Sequence, residues 1–573
     1  MIKKVAILIC LSPFFIYAAS LKYLQFSGNK YFEEDQILEA LGLETPSWYQ
    51  FFKDKRVKID PKYSNALLQT LKNFYKSEGF YEANIQKDED NQTITFIIDA
   101  KKPVKVHSIE ANLSSEYKRF INFKKGERFK ATKFIKIKQN IKKQLLIDGY
   151  CNALLDTKAY IDLDKKTSDL KYHLQKNGLC KFGKIDLFIP KNIDKKVILS
   201  RLNFRSGSTY SSKKIKDAYS SISGLEAFNS IHIKQNQNTN TINLTIKLSP
   251  KSKRITEEIG VGYETDLGPK AIFNWSQRNF QGDARKISFN LKYSKKEKYI
   301  SNTLFWPAFT TLPFTKDYYL DLKNEFSFSK YNYEKFDEKK ISNILHLQKD
   351  YYLFSIDSGI GFEKIYINKK GEICNISDGH FFLLYPFINF ILDTRDSKIN
   401  PKNGIYISSY LESGIKYLRS DTTYMKFLSE ARAIRSWDKL TVAIKGKLGL
   451  INEFQKSLPE SKLFFAGGAF SNRAYGYNRL GATDSKCKDM GGKTMLDTSV
   501  EADYWVWDKF GFALFYDATM LNLQTSKFDT DFKSSIGTGI RYLSVIGPIK
   551  IDIGYDIKDS SQYAIHFQVG QSF

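Results

Sequence analysis

Beyond residue 20 the sequence has no apolar run of about 18 residues, the length a helix needs to cross a bilayer, which excludes a helical membrane protein. Histidine is scarce: only six occur, and none stands at metal-ligand spacing from another histidine, a cysteine or a carboxylate. There is no HExxH motif and no nucleophile elbow. Gly492-Lys493-Thr494 lacks the glycine that a phosphate loop requires five residues before Gly492, where Cys487 stands, and no strand and helix frame it. These absences predict a protein that is not an enzyme and carries no metal or other cofactor.

Aromatic residues, in contrast, reach 15%, with 35 Tyr and 44 Phe, while mean hydropathy is only -0.39. That combination suits a transmembrane barrel, whose strands show lipid every second side chain and carry aromatic girdles. A large soluble all-β protein is the alternative. Residues 1–20 read as a signal peptide: Lys3 and Lys4 precede an apolar stretch from Val5 to Phe15, then come the small residues Ala18, Ala19 and Ser20. Cys10 falls inside the apolar core and leaves with it. The charge of +26 is uneven, because residues 255–573 hold 42 Lys and Arg against 37 Asp and Glu, leaving +21 on residues 1–254. In an exported chain nucleic acid is excluded as the partner of this excess. Anionic lipid head groups or an acidic protein are expected instead, with a solvated surface as the bland alternative.

The N-terminal half repeats itself. LKNFYKSEGFYEANI at 71–85 aligns without gaps on IKKQLLIDGYCNALL at 141–155, matching Gly79 with Gly149 as helix stops. A third copy, GLEAFNSIHI at 224–233, has Ala227 where the glycine should stand. FKKGERF at 123–129 and FRSGSTY at 204–210 share a second pattern of aromatic, glycine, aromatic. Each unit reads strand, helix, helix, strand, strand over about 75 residues. Four cysteines remain in the mature chain, and an even count permits two disulfides. Cys151 opens one strand and Cys180 lies just past the next, so antiparallel pairing brings them together. Cys374 with Cys487 is the remaining combination, and four free thiols are the alternative.

From Ile255 the pattern switches to period two, as in ISFNLKY at 287–293, LTVAIKGKLGL at 440–450 and IKIDIGYDI at 549–557. The 319 residues left hold about sixteen strands at roughly twenty residues each. Lipid leaves no sheet edge satisfied, so closure into a barrel is expected, with a water-soluble sandwich as the rival. At the C-terminus Tyr563, Ile565, Phe567, Val569 and Phe573 share one strand face, which looks like the sorting signal of bacterial outer-membrane barrels.

Together these features resemble the outer-membrane assembly superfamily of BamA, TamA and the two-partner secretion transporters, in which α+β POTRA repeats precede an all-β barrel of sixteen antiparallel strands. The resemblance implies a signal peptide at 1–20, POTRA repeats at 21–100, 101–179 and 180–254, and an outer-membrane barrel at 255–573 with the repeats in the periplasm. Its most specific element is FFAGGAFSNRAYGYNRLG at 464–481, similar to the family loop that folds into the barrel lumen. The motif would be Arg473, Tyr475, Gly476 and Tyr477, although Ala474 replaces the glycine that usually follows the arginine. Glu501 and Asp517 align with acidic residues that hold the loop arginine in relatives. LDTRDSKINPKNG at 392–404 and IGTGIRYLSVIGPIKIDIGYDI at 536–557 are also similar to family segments, with Gly547-Pro548 as the short turn of the latter. Three repeats fit TamA, an assembly factor for β-rich proteins such as autotransporters. The partners implied are a TamB-like inner-membrane-anchored protein, nascent outer-membrane proteins and outer-membrane lipids. A two-partner-secretion pore is the alternative. Gly260, Gly262 and Gly570 would weaken the seam where first and last strands meet.

Overall fold

The computed structural model describes residues 21–43, 56–264, 268–312, 315, 318–333, 335, 336–350, 353–370, 378–455, 457–483, 490–507, 509–544 and 547–569. The signal segment, Cys374, Cys487, Gly570 and Phe573 lie outside them. The chain forms two compact units. One runs to Lys184 and adds Ser206–Lys213 and Asn236–Asn243; the other comprises Ile185–Arg205, Lys214–Gln235 and everything from Leu244.

In the first unit, the strand Lys22–Ser27 lies parallel to Thr93–Asp99, which also pairs with Asn84–Glu89, and the helices Glu34–Ala40 and Ser64–Ser77 belong to the same repeat. The next repeat has the strands Lys105–Asn112, Leu154–Asp162 and Thr167–Gln175, with the last in the centre. Its long helix, Ala131–Ile147, buries Ile137, Ile141 and Leu145, one stripe at helical spacing, against that sheet.

The two shared sequence patterns turn out to touch each other. Gly79, at φ +95°, accepts from Val104 N–H at 2.9 Å, and the Val104 carbonyl accepts from Phe129 N–H at 2.9 Å. One repeat later Gly149, at φ +99°, accepts from Cys180, whose carbonyl accepts from Tyr210, again at 2.9 Å each. A Cβ on Gly79 would sit 2.2 Å from the Phe129 carbonyl oxygen, and one on Gly149 2.9 Å from that of Tyr210. Glycine is therefore needed both for its left-handed backbone and for this close approach. Gly79→Ala should cost ~3 kcal/mol, whereas Gly126→Ala, at φ +80° with nothing within 4 Å, should cost about 1 kcal/mol. Hydrogen exchange of the amides from Gly79 to Phe129 measures the difference. Cys151 and Cys180 are disulfide-bonded, with Cα atoms 5.9 Å apart, so the bond staples the second such junction.

In the third copy the left-handed residue is Glu226, at φ +55°, one position before Ala227. Ala227 keeps the junction bond, accepting from Lys251 N–H at 2.9 Å, and its methyl is buried. Glu226 pairs with Arg278 at 2.9 Å and Lys286 at 3.0 Å. Burial raises its carboxyl, but the Lys286 and Arg278 hydrogen bonds outweigh that and hold it below the usual carboxylate range. Arg201 grips Asp321 through two hydrogen bonds at 2.8 and 2.6 Å, and Val197, Ile198 and Ile222 pack with Ala284 and Ala308.

From Ile255 to Val569 sixteen antiparallel strands follow one another in chain order. Their two faces are inverted relative to a water-soluble protein. Phe289, Leu291, Phe326, Phe328, Leu514 and Ile536 are exposed, whereas Asp497, Ser499, Glu501, Arg541, Lys550 and Asp552 are buried. A soluble sandwich would bury the apolar face; a belt of exposed apolar side chains this wide requires lipid. Tyr563, Ile565 and Phe567 of the last strand belong to that belt. Gly547 and Pro548 do not form the expected turn: both already pair in the ladder, opposite Ser544 and Leu543.

Candidate functional site

Between the eleventh strand, Leu440–Glu453, and the twelfth, Thr494–Trp507, a long loop folds onto the polar face of the sheet. Phe464 pairs with Gly492 and Ala466 with Leu480 across its two arms, and Ala482 pairs with Met490 within the returning arm, which together make a tongue. Gly467 and Gly468, at φ +94° and +102°, turn the tip, where Tyr475 accepts from Gly468 N–H at 2.9 Å.

Arg473 sits at that tip and is only 3% exposed. Its guanidinium donates to both oxygens of Asp517 at 3.0 and 2.9 Å, to Glu501 at 2.5 Å, to Ser499 at 3.2 Å and to Asp552 at 3.4 Å. It also stacks on the Phe515 ring, 3.4 Å from the centroid. The sheet register explains the convergence, because Ser499 lies opposite Asp517 and Glu501 opposite Phe515 in neighbouring strands. A planar fork matched to carboxylates offsets the cost of taking these charges out of water.

The wall adds residues that the loop motif did not point to. Arg541 pairs with Glu501 at 3.0 Å, Asp503 at 3.0 Å and Asp552 at 2.5 Å, and Lys550 pairs with Glu501 at 3.1 Å. Three cations thus interleave with Glu501, Asp503, Asp517 and Asp552. Tyr475 donates to Asp556 at 2.6 Å, while Gly476 lies under Gly467, where a Cβ would meet its carbonyl oxygen at 2.5 Å. Tyr477 is exposed. Ala474 is fully buried without a left-handed backbone, so no glycine is required there, and the wall comes close to the same turn: a Cβ on Gly554 would strike the Arg473 carbonyl at 2.6 Å.

A second cluster holds the base of the tongue. Lys462 reaches Glu363 at 2.8 Å and Glu412 at 3.3 Å, and lies 4.2 Å from the Tyr385 ring centroid. Tyr385 donates to Glu363 at 2.9 Å, and Tyr410 and Tyr424 donate to Glu412 at 2.6 and 3.0 Å.

The two end strands of the sheet differ. His566 Nε2, on the sixteenth, lies 3.1 Å from the Arg473 carbonyl oxygen, and Gln562 donates to the Ala474 carbonyl at 2.7 Å. In the first strand, Ile255–Glu264, every residue from Glu257 to Gly262 is exposed, with Ile259 at 82% and Val261 at 86%. Cβ atoms on Gly260 and Gly262 would touch only the Ile272 and Lys270 side chains, at 3.8 and 3.5 Å. Among the described residues no ladder joins the first strand to the sixteenth.

The Omp85 superfamily domain matches over residues 279–573, half of the chain. The chain belongs to the Omp85 superfamily. A POTRA family, described as surface antigen variable number repeat, matches residues 20–101. The outer membrane protein assembly factor BamA of Buchnera aphidicola is 24% identical over 352 residues, 58% of this chain and 54% of that protein, so the chain spans about half the length of this curated relative. Among solved structures, BamA from Haemophilus ducreyi lacking POTRA domains 1-3 superposes with a TM-score of 0.52 at 17% identity, covering 82% of this chain and 99% of that one. CdiB from Acinetobacter baumannii gives 0.47 at 12%, covering 95% and 100%. As an Omp85 barrel with POTRA repeats, the protein resides in the outer membrane with its repeats in the periplasm. The first strand leaves the repeats, so odd-numbered strands run outward and the tongue starts at the outer end and folds back inside.

Proposed function

We propose that this Omp85 protein assists insertion of β-rich proteins into the outer membrane in the manner of TamA, with a TamB-like inner-membrane-anchored partner and autotransporter-type clients. The observation that carries this reading is the asymmetry of the end strands. The sixteenth is tied through His566 and Gln562 to the tongue, while the first is exposed from Glu257 to Gly262 and, among the described residues, pairs along one edge alone, so its other edge can offer backbone groups to a client strand. The repeats would deliver such strands by the same edge pairing.

Cysteine pairs placed between Thr256–Gly262 and Tyr563–Phe567 test it. Oxidation should leave the protein heat-modifiable and inserted but abolish client assembly, and reductant should restore it. Assembly that continues with the seam cross-linked sinks the proposal. Single-channel conductance together with secretion of one dedicated exoprotein would assign the chain to transport instead.

A further inference from the structure

The helix Ala131–Ile147 of the second repeat has a second face that its packing does not use. We propose that this face docks on an anionic phospholipid surface, that of a leaflet facing the periplasm. The helix carries five lysines and no acidic residue. Lys133, in the first turn, is paired with Glu127 at 2.6 Å. Beyond it, Lys136, Lys142 and Lys143 are exposed and Lys138 is half-buried on the flank, and none of the four has an acidic partner among the described residues. Asp148, which ends the helix, is occupied by Tyr117 and Gln144.

Positions 135, 136, 139, 142, 143 and 146 recur every three or four residues, so they form one stripe about 16 Å long, opposite Ile137, Ile141 and Leu145. Apolar side chains mark both ends of it: Ile135 is 52% exposed and Leu146 38%. A merely solvated face has no use for them, whereas a headgroup surface takes up lysines electrostatically and buries flanking apolar groups. The corresponding helices do not share the pattern. Ser64–Ser77 has only Lys72 and Lys76, and Ser212–Ser223 includes Asp217 among its lysines. The surface is thus particular to one repeat rather than a general property of lysine-rich helices. The chain tethers this face to a membrane-held barrel, and tethering raises the effective concentration of lipid, so weak single-site affinity suffices.

The full chain, with its barrel held in a phosphatidylcholine nanodisc, is floated with vesicles of equal parts phosphatidylglycerol and phosphatidylcholine, and separately with phosphatidylcholine alone. Binding only to the anionic vesicles is expected, weakened about tenfold or more in K142E/K143E and by raised salt, and unchanged in K72E/K76E. I135A/L146A should weaken it less. These exposed positions leave the core untouched, and retention of the Cys151–Cys180 disulfide checks folding. Absence of flotation, equal binding to both vesicles, or full binding by K142E/K143E overturns the proposal. Capture of an acidic protein by this face with no anionic-lipid binding would overturn it in favour of a protein partner.

Discussion

Arg473→Ala is expected to leave the sixteen-stranded sheet inserted and heat-modifiable while releasing the tongue tip and impairing function. The ladders are backbone bonds and do not involve the guanidinium, so the barrel keeps its cohesion. The tip does not. Arg541 and Lys550 still face Glu501, Asp503 and Asp552, but Asp517 loses its charge partner and keeps only the Ser499 hydroxyl, at 2.6 Å, and the backbone N–H of residue 473, at 3.0 Å. Stranding a buried carboxylate this way costs about 3–5 kcal/mol. Arg473→Lys should fall between, since it restores charge but cannot grip two oxygens at once. Adding Asp517→Asn to Arg473→Ala should recover part of the loss, and that coupling is the signature of a specific pair. Protease cleavage between Phe464 and Thr483 reads tip release. Loss of heat-modifiable folding in Arg473→Ala would show instead that the arginine builds the barrel.

The same region shows what can be read from residues alone. Alternation is enough to place strands, because a period of two has no helical counterpart. The stretch IKIDIGYDI even puts Lys550, Asp552, Gly554 and Asp556 on one face, the face that meets the tongue. Nothing in that period says which carboxylate on strand fifteen meets which cation from strand fourteen or from the tongue. Register and curvature decide it, and so Arg541, Lys550 and Asp552 stayed hidden while Glu501 and Asp517 came through resemblance. Ala474 is a similar case: its backbone is not left-handed, so alanine is accommodated, and the glycine that lets the wall approach the Arg473 carbonyl is Gly554, 81 residues beyond Arg473 in sequence. Ala227 differs again. The missing glycine matters little there, because the left-handed turn moves to Glu226 and the carbonyl bond to Lys251 is kept by the backbone. Lys462 left no pattern at all, since it stands in an aperiodic loop and its partners Glu363 and Glu412 come from strands seven and nine.

Lys462→Met should have the second largest effect, and for a related reason at the opposite end of the tongue. Glu363 and Glu412 are buried and the Lys462 side chain between them is only 11% exposed, and the tyrosine hydroxyls around them donate hydrogen bonds but supply no charge. Removing the lysine leaves two carboxylates facing one side-chain vacancy, at a cost of about 3–5 kcal/mol. Because Lys426 donates to the Lys462 carbonyl at 2.8 Å, and Phe464 packs in the apolar cluster with Tyr385 and Met495, the base of the tongue should loosen as a unit. Either anchor alone still leaves the tongue held at one end. Protease exposure in Arg473→Ala with Lys462→Met should therefore exceed the sum of the single variants, and Glu363→Gln with Glu412→Gln should partly rescue Lys462→Met. Simple additivity would mean that the two clusters stabilise separate walls, and that no strut runs between strands seven to ten and strands twelve to sixteen.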